Sequence, residues 1–589
     1  MKHACLHIIL SSIFLISLLS CSRQTLNHAI QLSKKNKTPQ TSLTVENSTS
    51  SHYYYMLSCM NSNKSDLVKA ILFLKKALNK DPESMFLKKE LINFYLLQSQ
   101  YDKAIEFAEK IIETNPDAID ILFTLARLKI KKDKNQQAKD IYLKILELEP
   151  DNKSTYLLLG DIYSEEKNSD ESFKLYSKMI EYFPDSYIAH YYLGMAYMDQ
   201  SKLKNAQEEF LKTIGLSPKL IEPRLRLIEI YTLNTKNKIG KDKKIVNLYK
   251  KILEIEEHND FVLMEYALYL HGHQSKDEAA EIFFNFGEKS AEDEQFLLKV
   301  ADEYIIKKRF KAAAVIFAEM LKASPENSSI NFFAGYAFDS LKQHQKAIDY
   351  YKKVQPDTPY YKKSVIHTAF LYQEQKKLGK GIDTLEKFYA HNPEDIDIII
   401  FLSSFYVETK NIEKSIKLLN QGLSVSKDNP ALLFKLSISM DKSGKKDECI
   451  KILKKAIELD PENAQALNYL GYTYADIGIK LDEADKLISK ALKLMPDDGY
   501  ITDSLGWVYF QKGSYAKASQ ILKKAAKMTA YDPIITEHLG DSYTKENRLK
   551  KALAVYKKAL EKITEADSQQ KIKLENKIKA LESRINVQE

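Results

Sequence analysis

At 589 residues the chain is long enough for several globular domains. Its 17 Gly and 15 Pro supply too little turn chemistry for a sheet protein, and the dominance of Leu, Lys, Ala, Ile, Tyr and Glu is an all-helical profile. The formal charge of +8 does not make it a nucleic-acid binder: only seven of the 88 basic residues are Arg, which grips phosphate bidentately, and the lysines alternate with Glu and Asp, as in KKALNKDPE.

The chain opens with a basic Met1-Lys2-His3 and an apolar run from Leu6 to Leu19. That run is shorter than the roughly 20 residues of a membrane span and suits a secretory leader over residues 1–20. Leu18-Leu19-Ser20-Cys21 then resembles the bacterial lipobox. The resemblance implies cleavage before Cys21, lipid on its sulfur and new amino group, and stable anchorage, since several acyl chains hold where one is marginal. An uncleaved anchor and a plain secretion signal are the alternatives. Ser22 stands where an Asp would direct inner-membrane retention, which gives the expectation of an envelope protein on the outer membrane, facing the periplasm. Residues 21–50 are mostly Ser, Thr, Asn, Gln and Lys without a sustained period, and are expected to form a flexible tether reaching about 30 Å.

Beyond the tether the prolines set a rhythm. Pro82, Pro116, Pro150, Pro184 and Pro218 are 34 residues apart, Pro325, Pro359 and Pro393 repeat the interval, and Pro461 to Pro496 is 35. A fixed period of this size means stacked supersecondary units. Numbering each unit from 1, apolar residues recur at 4, 7, 8 and 11, then at 20, 24 and 27, as in Leu193-Gly194, Tyr197, Ala206 and Phe210 of the unit from Tyr187; the unit from Ala464 carries Leu467, Leu470-Gly471 and Tyr474, then Ala484, Ile488 and Ala491 one residue later. Both sets mark one face of a helix, so each unit is helix–turn–helix. Gly or Ala at 8, 20 and 27 lets two backbones approach, and large residues at 7, 11 and 24 fill the space around them. The Pro is expected to open the next helix, with Asn, Ser or Asp capping it. Cys449 falls at a small buried position, and Cys5, Cys21, Cys59 and Cys449 form no disulfide or metal pattern.

This pattern resembles the tetratricopeptide repeat family, in a bacterial lipoprotein. The resemblance implies an all-α, right-handed superhelical solenoid of about 15 repeats between residues 51 and 566. The expected divisions are an N-terminal array over 51–233, an irregular stretch or hinge over 234–293, a second array over 294–566, and a capping helix over 567–589 carrying Leu574, Ile578, Leu581 and Ile585. Departures from the family pattern are the missing Trp at position 4 and a loop, Asn234 to Asp242, that lengthens the sixth repeat.

Leader, tether and repeats leave no room for a catalytic domain. There is no phosphate loop and no GxSxG, and His271-Gly272-His273 lacks a third ligand nearby, so no enzyme, cofactor or metal is expected. On each first helix, positions 2, 5, 6, 9 and 13 lie opposite the partner-facing stripe. A face meeting only solvent would be charged there, but here it is often aromatic: Tyr191, Tyr192 and Met195; Tyr266 and Tyr269; Phe332, Phe333 and Tyr336; Asn468, Tyr469, Tyr472 and Asp476; then Tyr500, Asp503 and the sole tryptophan, Trp507. In the family this face lines a concave groove for extended peptides or partner helices, and Tyr and Trp dominate binding hot spots. The alternative is that tight stacking of neighbouring repeats buries these rings. The Lys/Asn clamp that the family uses for C-terminal carboxylates does not occur as a set. The expectation is a membrane-anchored scaffold for protein partners in envelope assembly, secretion, or pilus or polysaccharide export. Direct carbohydrate binding in exopolysaccharide export is the second expectation.

Overall fold

The computed structural model describes residues 50–233, 241–273, 275–563 and 568–588. The leader, the tether with Cys21 and residues 234–240 of the long loop lie outside the described residues. The described residues form 31 α-helices and one π-helical turn, Asp302–Ile306, with no strand among them. None of these helices is long and apolar enough to cross a membrane. They pack as two compact units, the first ending at Ile255 and the second beginning at Glu256.

Within each unit the hairpin is regular. First helices such as Lys153–Glu165, Tyr187–Asp199 and Ala464–Asp476 have 13 residues, and their partners Ser169–Tyr182, Leu203–Leu216 and Leu481–Leu494 have 14. Asn152, Ser186, Asn327 and Asn463 N-cap first helices, each side chain accepting a backbone N–H of the first turn. The turn inside the hairpin holds one residue in the left-handed region, and it too recurs every 34 residues: Ser65, Ser99, Asp133, Lys167 and Ser201 in the first unit, Lys308, Lys342, Lys376, Lys410, Gly444 and Gly478 in the second. At Ser201 its own N–H reaches the Met198 carbonyl and the Lys202 N–H reaches Tyr197, both at 2.8 Å, closing the first helix with a Schellman motif.

The periodic prolines sit elsewhere than expected. Pro150, Pro184 and Pro461 lie in the turn two residues before the cap rather than in the helix. Their carbonyls have a use. Tyr156 Oη donates to Pro150 O at 2.9 Å, Arg224 Nη2 to Pro218 O and Asn331 Nδ2 to Pro325 O at 2.8 Å, and His190 Nε2 lies 2.8 Å from Pro184 O. All four side chains stand at position 4. The absent Trp is thus replaced by other large side chains with a polar end that ties the first helix to the turn preceding it.

The core contact is a glycine under a ring or branched chain. A Cβ on Gly160 would lie 1.9 Å from Tyr176 Oη, one on Gly194 2.7 Å from Phe210, one on Gly335 2.7 Å from Tyr351, one on Gly471 2.5 Å from Ile488, and one on Gly540 2.3 Å from Tyr556. In each case position 8 faces position 24, or position 25 in the one-residue-longer unit of Gly471 and Ile488, and every one of these large side chains is 0–2 % exposed. Burying one contributes roughly 1.5–3 kcal/mol. Cys449 is fully buried at position 20. After the last hairpin, Ser568–Gln588 inserts Leu574, Ile578 and Leu581 into the core built by Leu539, Tyr543, Ala552 and Tyr556.

Gly540→Ala is expected to destabilise its hairpin by about 1–3 kcal/mol, because the Tyr556 ring has no room to withdraw. Gly215→Ala, with nothing within 4 Å of the new methyl, should instead stabilise its helix by up to about 1 kcal/mol. Hydrogen exchange, which reads each helix separately, should show faster exchange in Pro533–Lys545 and Leu549–Lys562 for the first variant and slower exchange in Leu203–Leu216 for the second.

Candidate functional site

Four successive first helices of the second unit, Pro430–Lys442, Ala464–Asp476, Gly499–Gln511 and Pro533–Lys545, are phased by their caps Asn429, Asn463, Asp498 and Asp532. With positions 4, 7, 8 and 11 turned to the core, positions 5, 6, 9 and 12 form a strip. It runs from Phe434, Lys435 and Asp441 through Asn468, Tyr469 and Tyr472 to Asp503, Trp507, Phe510, Glu537, His538 and Asp541. Contacts across the strip link each helix to the next. Tyr469 Oη donates to Asp441 at 2.8 Å, and its ring meets Phe434 edge-on at 6.1 Å. His538 Nδ1 lies 3.0 Å from an Asp503 oxygen, and the imidazole stacks on Trp507 at 4.4 Å. Trp507 also stacks on Phe510 at 4.7 Å. At the far end, Lys577 of the terminal helix holds Glu537 at 2.6 Å and Asp541 at 2.5 Å, with Lys573 adding a contact to Glu537.

Three polar groups in this strip have no hydrogen-bond or ion-pair partner among the described residues. The Asn468 Oδ1 and Trp507 Nε1 atoms are buried and accept or donate no hydrogen bond. The Lys435 amine, whose pKa is lowered by burial, takes part in no hydrogen bond or ion pair among the described residues. Leaving a buried polar group unpaired costs about 1–3 kcal/mol, and among the described residues others, such as Tyr142 Oη, Tyr351 Oη and Tyr474 Oη, stand unpaired in the core away from the strip. Between them stands Tyr472, whose hydroxyl is pushed up to about 12 by burial and by the charges of Asp476, Asp503 and Asp441. It has no ring contact among the described residues, and Tyr500 nearby is 62 % exposed.

The other sequence-predicted residues are placed differently. Tyr192 stacks on Tyr176 at 5.0 Å, Tyr191 meets Phe210 at 5.8 Å, and Met195 packs with them against the core around Phe210. Phe333 stacks on Phe317 at 5.7 Å, Phe332 on Tyr360 at 4.7 Å, and both are buried rather than facing an open groove. Tyr336 meets His367 edge-on at 6.0 Å. The reason is geometric: Tyr192 and Phe333, at position 6, each meet the position 24 ring of the preceding repeat. Tyr266 is corrected on another ground. In the hairpin Asp260–Gly272 and Lys276–Glu292 it falls at position 7, where it is 2 % exposed and donates to Glu278 at 2.9 Å. Tyr269 stacks on His273 at 4.2 Å. Asp476 is exposed and paired to Lys446 at 2.6 Å.

Sequence reasoning missed Lys435, His538 and the two terminal lysines. His538 was legible, since it occupies position 6 of the last repeat beside the carboxylate at position 5. Burial acts to lower its pKa, but the Asp503 hydrogen bond, with the charges of Asp503, Asp541 and Glu537, outweighs burial and the net direction is upward from 6.5. A folded value above the unfolded one means that protonated His538 contributes stability in full below pH 6.5, and that this contribution is lost as pH rises through the folded value. Because the imidazole stacks on the chain's sole tryptophan, Trp507 fluorescence should titrate with a midpoint above 6.5 and should be flat over that range in His538→Gln. A midpoint at or below that value would mean that burial wins.

Family models described as tetratricopeptide repeat match residues 95–162, 154–186, 301–362, 431–463, 452–486 and 504–570. No curated protein sequence matches the chain. Among solved structures, yeast Tom70 is similar at 14 % identity over 80 % of this chain and 96 % of that one, with a TM-score of 0.37. A tetratricopeptide repeat protein from Parabacteroides merdae is similar at 16 % identity over 41 % of this chain and 96 % of that one, with a TM-score of 0.36. A thermophilic TPR protein of Thermus thermophilus is similar at 21 % identity over 30 % of this chain and 96 % of that one, with a TM-score of 0.28. The repeat-by-repeat matches, falling on hairpins with the position 8 and position 24 contact described above, make this chain a member of the tetratricopeptide repeat family.

Proposed function

We propose that the chain is a non-enzymatic scaffold of the bacterial envelope, lipid-anchored at Cys21 on the outer membrane, which binds a protein partner along the strip from Lys435 to His538. The observation that carries the reading is the set of unpaired polar groups on that strip. An extended polypeptide offers a main-chain N–H to Asn468 Oδ1, a carbonyl to Trp507 Nε1 and a carboxylate to Lys435, and a Lys or Arg fits beside Tyr472 among Asp441, Asp476 and Asp503. Location rests on the lipobox-like Leu18-Leu19-Ser20-Cys21, and reach on the polar residues 22–50.

The carbohydrate alternative is less well supported. Stacking on sugar requires an open aromatic face, and the rings of Trp507, Tyr192, Phe332 and Phe333 already lie against other protein rings. Tyr472 in the strip, and the exposed Tyr500 at position 2 of its helix, are the exceptions.

A photoreactive residue at Tyr472 or Tyr500, in cells making the full-length chain, should yield discrete protein adducts. The same residue at Lys523, exposed on a second helix, should not. Diffuse polysaccharide adducts would favour the carbohydrate reading. Equal patterns at strip and control positions would refute a binding strip.

A further inference from the structure

The two ends of the chain are finished differently. At the C-terminal end the last hairpin is covered by Ser568–Gln588, which buries three apolar side chains and brings Lys573 and Lys577 to the carboxylates there. Toward the N-terminus the first two helices among the described residues, Ser51–Asn63 and Leu67–Lys80, expose apolar side chains instead. Tyr53, Met56 and Met60 stand at i, i+3 and i+7 on the first, and Val68 and Leu72 at i and i+4 on the second, each 50–73 % exposed. Elsewhere in the chain exposed large apolar residues are scattered along the helices, but here five fall within 20 residues. The second of these helices carries exposed Lys69, Lys75, Lys76 and Lys80, exposed Lys64 stands in the turn between the two, and among the described residues Lys69 alone of the five is held by an acid, Asp66 at 2.9 Å. Residues 22–83 together contain nine basic residues against four acidic.

From these observations we propose that the first hairpin is a membrane-docking surface for anionic phospholipid. Apolar side chains flanked by lysines on neighbouring helices are the chemistry of an interfacial element. The apolar groups enter the headgroup boundary, while the lysines keep their amines in the headgroup layer. The position in the chain agrees, because the tether that would join the acylated Cys21 to Ser51 ends at this hairpin. Of all the repeats this one follows Cys21 most closely in the sequence, and docking would fix the array at the bilayer rather than leave it hanging. The inference rests on the envelope reading for its biological setting, but not for its chemistry.

The test uses the chain from Cys21 onward, produced without its leader and therefore unacylated, in flotation with vesicles of phosphatidylglycerol and phosphatidylcholine or of phosphatidylcholine alone. The chain should float with the anionic vesicles and remain behind with the neutral ones, and binding should weaken as salt rises. Met56→Asp with Leu72→Asp should lower the bound fraction about tenfold, and Lys75→Gln with Lys76→Gln should lower it severalfold. Ile534→Asp, a similarly exposed site in the second unit, should leave binding unchanged. All the altered side chains are at the surface, so helical content should not change. Absence of flotation, or equal binding by the Met56→Asp/Leu72→Asp variant, overturns the proposal. So does self-association of the chain that Met56→Asp abolishes while vesicles stay unbound, which would make this face a subunit interface. The mass of the N-terminal peptide of the cell-made protein reports separately on Cys21. An unacylated Cys21 with intact vesicle binding would remove the anchor and leave the docking surface standing.

Discussion

In six hairpins a glycine at the eighth position of the first helix, with a large side chain of the second helix lying over it, is the contact on which the packing depends. Without a Cβ at Gly194 or Gly540 the two helices of a hairpin come close enough for Phe210 or Tyr556 to fill the gap. That close approach fixes how far each helix can rotate, and rotation decides which residues meet the core and which form the strip. Stability in such an array is a sum of local hairpin and neighbour terms, so each repetition of the contact holds its own segment. The position 4 side chains reinforce the register by bonding the carbonyl of the preceding turn, as Tyr156 and Asn331 do.

Once the rotation is fixed, the inner positions divide. Position 6 comes against the preceding repeat, and in the middle repeats that contact takes up Tyr192 and Phe333. In the last repeats the residues at 5, 6 and 9 are polar as often as aromatic, and contacts between them, such as Tyr469 with Asp441 and His538 with Asp503, leave particular atoms unpaired. The proposed binding strip is one of the places where buried polar atoms stand without a partner among the described residues. Trp507 illustrates this: its faces contribute to packing through His538 and Phe510, and its indole N–H is the part left over.

Much of this was legible in the sequence. The 34-residue interval of the prolines and the Leu-Gly pairs at positions 7 and 8 give the hairpin, its phase and its repetition before any coordinates. What the sequence does not display is which inner-face ring meets another ring, because that depends on the next repeat along and not on helical period. The left-handed turn residue escaped notice for a different reason. It is Ser, Asp or Lys far more often than Gly, so composition hides a conformation that recurs every 34 residues. Tyr266 was misplaced because its repeat lacks the Leu-Gly pair, and with the phase unmarked a core position passed for an inner-face one. The missing Trp at position 4 read as a departure, whereas Tyr156, His190, Arg224 and Asn331 fulfil the positional requirement with other chemistry.

The most direct test of the account exploits a trade-off that it requires. Asn468→Leu combined with Trp507→Phe removes two polar atoms that have no partner in the free protein. If those atoms are kept for a ligand, the double variant should unfold at a higher temperature than the parent while crosslinking from Tyr472 falls about thirtyfold, the loss expected for two hydrogen bonds near 1 kcal/mol each. Undiminished crosslinking in the variant would show that the partner is held by other means, and the assignment of the strip would fail.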